Sequence, residues 1–366
     1  MVNILLNDTN ESSLLLKAGE RFYKDDDSNY FELADDNGYA YHKVAAWVVN
    51  EEGKKRISTA CLASRAQLGK VNVSATGGNS VGLYEIDSEF YTVGDNVPDP
   101  ESIRNNSYCY SELNNVLVAN SIYQAGFAGE SIRLATGLPL KQYFNNDGEL
   151  NNKTIEKVEK SLKPLATPYG DLQSVNIEKH LIYAESLSAF VDWLVDENGE
   201  MINKVENGVL VVDVGGGTTD ISFITPANEI YMPGSDTVKT GVLDVFKKLK
   251  QLISSEYDVD EEHIRDDMLD KAIRTKTFNV RGVEKDCTTL VNKAKRHVAK
   301  RLNNFINDLV SSTLDHIIFV GGGAEALSEQ LLNLEDYAEG FVVIPEEPQF
   351  SNVRGMLKLM TFVDAQ

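Results

Sequence analysis

Apolar residues come in short blocks, and the spacing within each block changes along the chain. From residue 22 to 106 the blocks alternate polar and apolar, as in YAYHKVAAWVV and SEFYTVG, divided by acidic and Asn/Gly turns. Such alternation predicts β-hairpins and loops rather than long helices. Residues 2–6 and 14–16 predict two further short strands, with the polar turn NDTNES between them. The period then shifts. Residues 112–127 carry helical apolar spacing, SIRLATGLPL (131–140) reads as a buried strand ending at Gly137 and Pro139, and 152–164 form an amphipathic helix stopped by Pro164. NIEKHLIYA (176–184) predicts a strand. Residues 185–196 predict a helix with Ala189, Phe190, Trp193 and Leu194 on one face.

The second half follows the same logic. VLVVDVGGGTTDISFI predicts a strand, a tight turn and a second strand. Helices are predicted at 240–255, 261–273 and 289–312, then a strand HIIFVGGG (316–323) and a helix beginning near Ala324. FVVIP (341–345), a PEEPQF loop and a helix near 352–362 complete the chain. Each half thus offers a strand hairpin followed by αβ units. That predicts an α/β protein of two related domains facing a cleft, with ligand at the strand ends.

The length of 366 residues suits two domains, and 42% hydrophobic residues support real cores. A net charge of −21 speaks against direct wrapping of nucleic acid, which needs clustered Lys and Arg, and suits a basic protein partner. Cys61, Cys109 and Cys287 are far apart, with no CxxC spacing, and read as reduced thiols of a cytoplasmic protein. No apolar stretch approaches a membrane span, and the first residues lack the basic n-region of a signal peptide.

The candidate chemistry centres on residues 209–223. Gly215, Gly216 and Gly217 allow backbone that other residues avoid and let a ligand approach closely. Successive turn N–H groups can converge on an anion, and Thr218 and Thr219 add hydroxyl donors. Asp213 can hold hydrated Mg²⁺, which prefers one or two carboxylates plus phosphates. Without GxxxxGK[ST], this is a hairpin cradle rather than the loop-to-helix cradle of Walker-type proteins. A second cluster, Gly321, Gly322 and Gly323, follows a strand and opens a helix, placing N–H groups where a nucleotide can sit. Glu185 stands at a strand-to-helix junction. It either complements the helix dipole or orients water onto a γ-phosphate.

DVGGGTTD, the strand-GGGAEAL segment, the TGLPLKQYF block, the YAESLSAF junction and the tail PQFSNVRGMLKL together resemble the actin/Hsp70/sugar-kinase ATPase superfamily. Within it they are most similar to the ParM/StbA branch of bacterial actin-like plasmid-segregation proteins, over about residues 112–362. The resemblance implies an actin-like (ribonuclease H-like) two-domain fold with a nucleotide cleft between the domains. Domain I would comprise residues 1–198 with 340–366, and domain II residues 199–339. It implies that Asp213, Gly215, Gly216, Gly217, Thr218 and Thr219 bind the β/γ-phosphates and Mg²⁺ of ATP or ADP. It implies that Gly321, Gly322, Gly323 and Ala324 lie against adenosine, that Glu185 positions the attacking water, and that Lys295 or Arg296 lies near the ribose. It further implies head-to-tail filaments destabilised by hydrolysis, and a DNA-bound adaptor of the ParR type.

The superfamily's first phosphate hairpin reads DxGxxxxK near the N-terminus. LLNDTNESSLLLK takes that place here: Asp8 fits the acidic position, Thr9 and Asn10 stand where glycine and a small residue are expected, and the lysine has no clear match, a leucine standing in its place. Asp8 is then the second carboxylate for Mg²⁺. Three outcomes stay open: a working site with altered geometry, nucleotide binding with slow hydrolysis, or a non-hydrolysing filament scaffold.

Overall fold

The structure is a computed structural model. It describes residues 13–25, 28–71, 82–94, 97–103, 105–145, 147–309, 313–334 and 337–364. The chain divides into two compact units, residues 1–204 with 350–366 and residues 205–349.

Unit 1 opens with β1 (Arg21–Phe22), β2 (Phe31–Asn37), β3 (Tyr41–Val49) and β4 (Lys55–Ala63). β5 (Ala66–Leu68), β6 (Leu83–Ile86) and β7 (Glu89–Val93) follow. Helix α1 (Glu112–Ala125) leads to β8 (Ser131–Leu138), the single-turn α2 (Leu140–Tyr143) and α3 (Asn152–Ser161). β9 (Thr167–Pro168), β10 (Asn176–Ala184) and α4 (Glu185–Leu194) complete the run. β2 pairs antiparallel with β3 and parallel with β8, β8 pairs parallel with β10, and β4 extends the sheet beyond β3. A smaller sheet runs β5-β7-β6-β9. Helix α1 starts because the Ser111 side chain accepts from the Asn114 N–H, and stops at Gly126, whose φ of 103° is a left-handed cap. Its residues are buried nearly all round because it serves two cores, one under each sheet.

Unit 2 contains β11 (Val209–Val214), β12 (Thr219–Ile224) and β13 (Asp236–Val238), then α5 (Val242–Tyr257) and α6 (Asp266–Thr275). The ribbon β14 (Thr277–Val280) and β15 (Val283–Asp286) precedes α7 (Thr288–Leu309), β16 (His316–Val320), α8 (Gly321–Leu332) and β17 (Val342–Val343). Its sheet order is β13-β12-β11-β16-β17. All six residues of β11 are buried, as expected of a central strand covered on both faces. One core gathers the sheet's apolar side chains with those of α5, α6, α7 and α8.

The chain returns to unit 1 as α9 (Ser351–Phe362). Val353, Met356, Leu357 and Met360 fill a core with Ala34, Ala45, Trp47 and Ala135 of the sheet. Gly355 lies directly on α4: a Cβ there would stand 1.7 Å from the Ser188 carbonyl oxygen. Asp192 of α4 accepts from Arg354 and Lys358 of α9, each at 2.8 Å, which clamps the same crossing.

Two expectations need correction. Residues 14–16 form a bend rather than a strand; Leu15 points into the core and the Leu14 N–H donates to Gln124 O. Residues 2–6 lie outside the described residues. FVVIP belongs to unit 2 rather than domain I, because β17 pairs parallel with β16. Among the described residues no helix is long and apolar enough to cross a membrane.

Candidate functional site

Both units put a four-residue turn at the C-terminal end of a central strand. In unit 2, Val214 pairs with Thr219 across Gly215–Thr218, and Asp213 pairs with Asp220 one step back. In unit 1, Asn37 pairs with His42 across Gly38–Tyr41, and Asp36 pairs with Lys43 one step back. The first turn residue is glycine in both, for one steric reason. A Cβ at Gly215 would stand 3.0 Å from Thr218 O, and one at Gly38 would stand 2.9 Å from Tyr41 O. A glycine also stands near the end of the neighbouring parallel strand in both units: Gly137 is next to last in β8, and Gly321 directly follows β16.

The unit 2 turn is fixed by its carbonyls. Gly215 O accepts from the Val242 N–H at 3.1 Å and Gly216 O from the Leu243 N–H at 2.9 Å, so the turn caps the start of α5. Gly241 permits this approach, since a Cβ there would lie 2.6 Å from Gly216 O. Gly215 N–H closes the turn onto Thr218 O. The N–H groups of Gly216, Gly217 and Thr218 donate to no backbone acceptor among the described residues, and Gly217 and Thr218 are exposed. Three adjacent amides without a backbone acceptor in an open turn are available to donate to an anion. Thr219 is placed differently from Thr218. It is fully buried and its hydroxyl donates to Thr240 O at 2.7 Å, tying the hairpin to the loop before α5.

Asp213 is buried beside this turn, 8% exposed. Gly321 makes room for it. With φ of +84°, a Cβ at Gly321 would meet Asp213 Oδ1 at 2.3 Å. Gly323 is pressed against Val214 in the same way, and the Ala324 methyl goes into the core. The three glycines form the first turn of α8, so helix begins at Gly321 rather than near Ala324. Lys295, on α7, lies beside Lys276 and Glu329. Burial and the Lys276 charge push its ammonium below its ordinary value. Glu329 is eight residues along α8 from Gly321, roughly 12 Å at 1.5 Å per residue.

A carboxylate beside a turn with available amides fits Mg²⁺ shared with phosphate, which takes few protein ligands and keeps its waters. Among the described residues no group of three or more His, Cys, Asp or Glu forms a metal cage, so such an ion would depend on its phosphate partner.

In unit 1 three parallel strands end side by side. Asp35 pairs with Thr136, and Gly137 pairs with Tyr183 just before Glu185 opens α4. Gly137 yields space to Glu185, whose Cγ would lie 2.9 Å from a Cβ there. Glu185 is half-buried. Burial pushes the nearby Cys109 thiol up to about 11, and the Glu185 carboxylate adds to this.

Asp8, Thr9 and Asn10 lie outside the described residues. The hairpin that stands where unit 2 has its glycine turn is β2–β3, and it carries the residues that sequence reasoning missed. Asp36, Gly38 and Lys43 satisfy DxGxxxxK. The Lys43 ammonium reaches Asp36 Oδ2 at 2.7 Å. The spacing itself, between two apolar runs, was the signal available in the sequence.

Two family models each match part of the chain. Residues 31–196 match the family model described as plasmid segregation protein ParM, N-terminal, a match that begins at the first residue of β2. Residues 211–333 match the model described as archaeal actin homologue MreB-like, C-terminal. Among solved structures, the archaeal actin homolog Ta0583 in complex with ADP superposes with a TM-score of 0.69 at 19% identity, covering 90% of this chain and 99% of that one. ParM from a 15-stranded Clostridium botulinum filament gives 0.67 at 18% identity, covering 91% and 99%. Bacillus thuringiensis ParM with AMPPNP gives 0.64 at 16%, also covering 91% and 99%. At these identities the likeness establishes an actin-like fold. No curated protein sequence matches the chain.

Proposed function

We propose, on the premise that the chain is an actin-like protein of the ParM type, that it binds Mg-ATP and polymerises into filaments whose stability hydrolysis controls. The observation that carries this reading is the recurrence of one turn geometry in both units, each with a carboxylate two residues before the turn glycine. The amides of Gly216, Gly217 and Thr218, with the Thr218 hydroxyl, donate to phosphate oxygens. Lys43, held by Asp36, supplies a positive charge for phosphate from the unit 1 hairpin. Asp213 is the carboxylate that would hold Mg²⁺, which would supply charge neutralisation to the phosphates. Glu185 accepts a hydrogen bond from the attacking water and aims it, so the protein's part in catalysis is positioning and charge stabilisation. The first turn of α8 takes the adenosine side of the nucleotide.

Filament formation is known for the Clostridium botulinum ParM relative, and nucleotide complexes for the Ta0583 and Bacillus thuringiensis proteins. Plasmid segregation through a DNA-bound adaptor of the ParR type follows from the family alone. The charge of −21 suits a basic adaptor–DNA complex. The scaffold reading drew on Thr9 and Asn10, and DxGxxxxK at 36–43 removes that motive.

The test is light scattering with Mg-ATP, Mg-ADP or no nucleotide, with phosphate release followed in the same samples. Scatter that rises with ATP and decays as phosphate appears supports the reading. In Glu185→Ala, slow phosphate release with persisting scatter is expected, and unchanged turnover removes Glu185 from the mechanism. Scatter that persists without phosphate release in the parent protein identifies a static scaffold.

A further inference from the structure

Unit 2 carries a separation of charge that the nucleotide site does not use. No Asp or Glu occurs between Asp286 and Asp308, although the chain has 56 of them. That stretch is nearly the whole of α7. Lys293, His297, Lys300 and Asn304 recur at helical spacing, so they share one face of it. All four are exposed, and exposed Arg301 flanks them. Val291, Ala294, Val298 and Leu302 hold the opposite face in the core, and Lys295 is half-buried. Among the described residues Lys293 and Lys300 form no ion pair, while Arg301 meets Asp244 of α5 at 3.7 Å. Lys247 and Lys248 follow one turn along α5 from Asp244, which extends the basic face across two helices. The opposite charge gathers between α5 and α6. Asp258, Asp260, Glu261, Glu262, Asp266 and Asp267 are all exposed there, and the one arginine among them is engaged locally, 2.9 Å from Asp267. This acidic segment leaves α5 at Tyr257, whose hydroxyl donates to Asp286 O just before α7 begins. Asp244 and Arg301 mark the other end of the helix pair, and among the described residues no ion pair joins the segment to α7.

We propose that the basic face of α7 receives the acidic segment 258–267 of a second copy of this chain, as one of the contacts that build the filament. The proposal rests on the reading of the chain as filament-forming. Two observations select a second copy. The first is complementarity: a stripe of exposed cations is drawn to a dense field of carboxylates, and this chain supplies both. The second is placement. The two patches lie apart on the same unit, so pairing one with the other is heterologous. Each added copy then leaves one unused basic face and one unused acidic segment, and the assembly stays open-ended instead of closing as a two-fold dimer. Exposed ion pairs are individually weak, so the face acts as a set and selects partner and register. Nucleic acid is the other polyanion such a face attracts. A net charge of −21 and the acidic segment of the same unit oppose a duplex that runs beyond the stripe.

The experiment measures the critical concentration for assembly of the full chain with Mg-ATP by light scattering. Lys293→Glu with Lys300→Glu reverses the face, and Glu261→Lys with Glu262→Lys reverses the segment. The two pairs move the net charge in opposite directions, yet each is expected to raise the critical concentration about tenfold or more. A chain carrying all four substitutions keeps the parent's net charge and restores the attraction with its signs exchanged. It is expected to return to within about threefold of the parent, as is an equal mixture of the two double variants. All four sites are exposed and outside the glycine turns, so calorimetry with Mg-ATP should give the parental affinity throughout, which also shows that each variant folds. Parental assembly in either double variant, or a fourfold variant as impaired as the doubles, overturns the proposal while the filament reading stands. If the parent assembles with no nucleotide at all, neither ATP nor ADP, the filament reading fails and this proposal with it. A short DNA duplex that binds the parent but not Lys293→Glu with Lys300→Glu, with scattering unchanged, makes the face a nucleic-acid site instead.

Discussion

Replacing Gly321 by alanine should destabilise unit 2 by several kcal/mol, whereas the same methyl at Gly322 should cost nothing. Gly321 has φ of +84°, a conformation that costs an L-residue about 1–2 kcal/mol. The added Cβ would also stand 2.3 Å from Asp213 Oδ1 and 2.8 Å from the Val214 carbonyl oxygen. That carbonyl is main chain in a central strand and cannot step aside. Overpacking of this kind costs about 1–3 kcal/mol, so the expected loss is about 2–5 kcal/mol. At Gly322 no atom lies within 4 Å, and alanine at a compatible site gains about 0.4–1 kcal/mol from the unfolded chain. Urea unfolding followed by far-ultraviolet circular dichroism reads the contrast. With a slope of about 1–3 kcal/mol per molar, the two midpoints should differ by on the order of 1–2 M. Because the cheaper escape from the clash is to push the Asp213 carboxylate aside, Mg-ATP affinity should fall in Gly321→Ala and hold in Gly322→Ala. Midpoints within a few tenths of a molar of each other would refute the steric argument.

Three further outcomes are expected. Lys43→Ala should weaken Mg-ATP binding by at least tenfold, as loss of a charge-assisted contact of about 1.5–3 kcal/mol requires; calorimetry showing parental affinity would remove Lys43 from the site. His180 is buried, with Nε2 at 2.8 Å from Thr136 Oγ1, and burial, with a smaller effect from Lys163, pushes its imidazole down to about 3. The folded value lies below the unfolded value of about 6.5, so the unfolded chain binds the extra proton between them. Stability from His180 is therefore complete above about pH 6.5 and is lost as pH falls toward 3, by about 2 kcal/mol at pH 5. Urea midpoints at the two pH values should show this, and His180→Asn should flatten the slope. Gly355→Ala should cost more than about 3 kcal/mol, because its Cβ would meet the Ser188 carbonyl at 1.7 Å; an unchanged thermal midpoint would mean that α4 and α9 do not cross there.

The glycine hairpin of unit 2 was legible because every level of the sequence agreed. Val209–Val214 is apolar as a doubly covered strand must be, and the turn is built of residues that only a turn would use. The unit 1 hairpin was misplaced because its strands disobey that pattern. β2 ends in Asp35, Asp36 and Asn37, and β3 begins with Tyr41, His42 and Lys43, so the strand ends look like loop. Those polar residues are buried because they pair with one another: Asp35 with His42, Asp36 with Lys43, and the Asn37 Nδ2 with Asn114 Oδ1. Pairing across strands is invisible to a reading along the chain. The apolar LLN and LLL around residues 5–16 imitated a strand more closely than the true one did. Gly321–Gly323 were legible as a glycine cluster after a strand but not as helix, because glycine is a poor helix former and the turn is set by contact with Asp213 and Val214.

The discontinuity of unit 1 has a consequence for synthesis on the ribosome. Unit 2 is complete once residue 349 has been added, and its core draws on no later residue. Unit 1 begins first and finishes last, because the sheet that carries Asp36 and Lys43 lacks one cover until Val353, Met356, Leu357 and Met360 have been translated. A nascent chain therefore holds one finished unit and one that still waits for a helix.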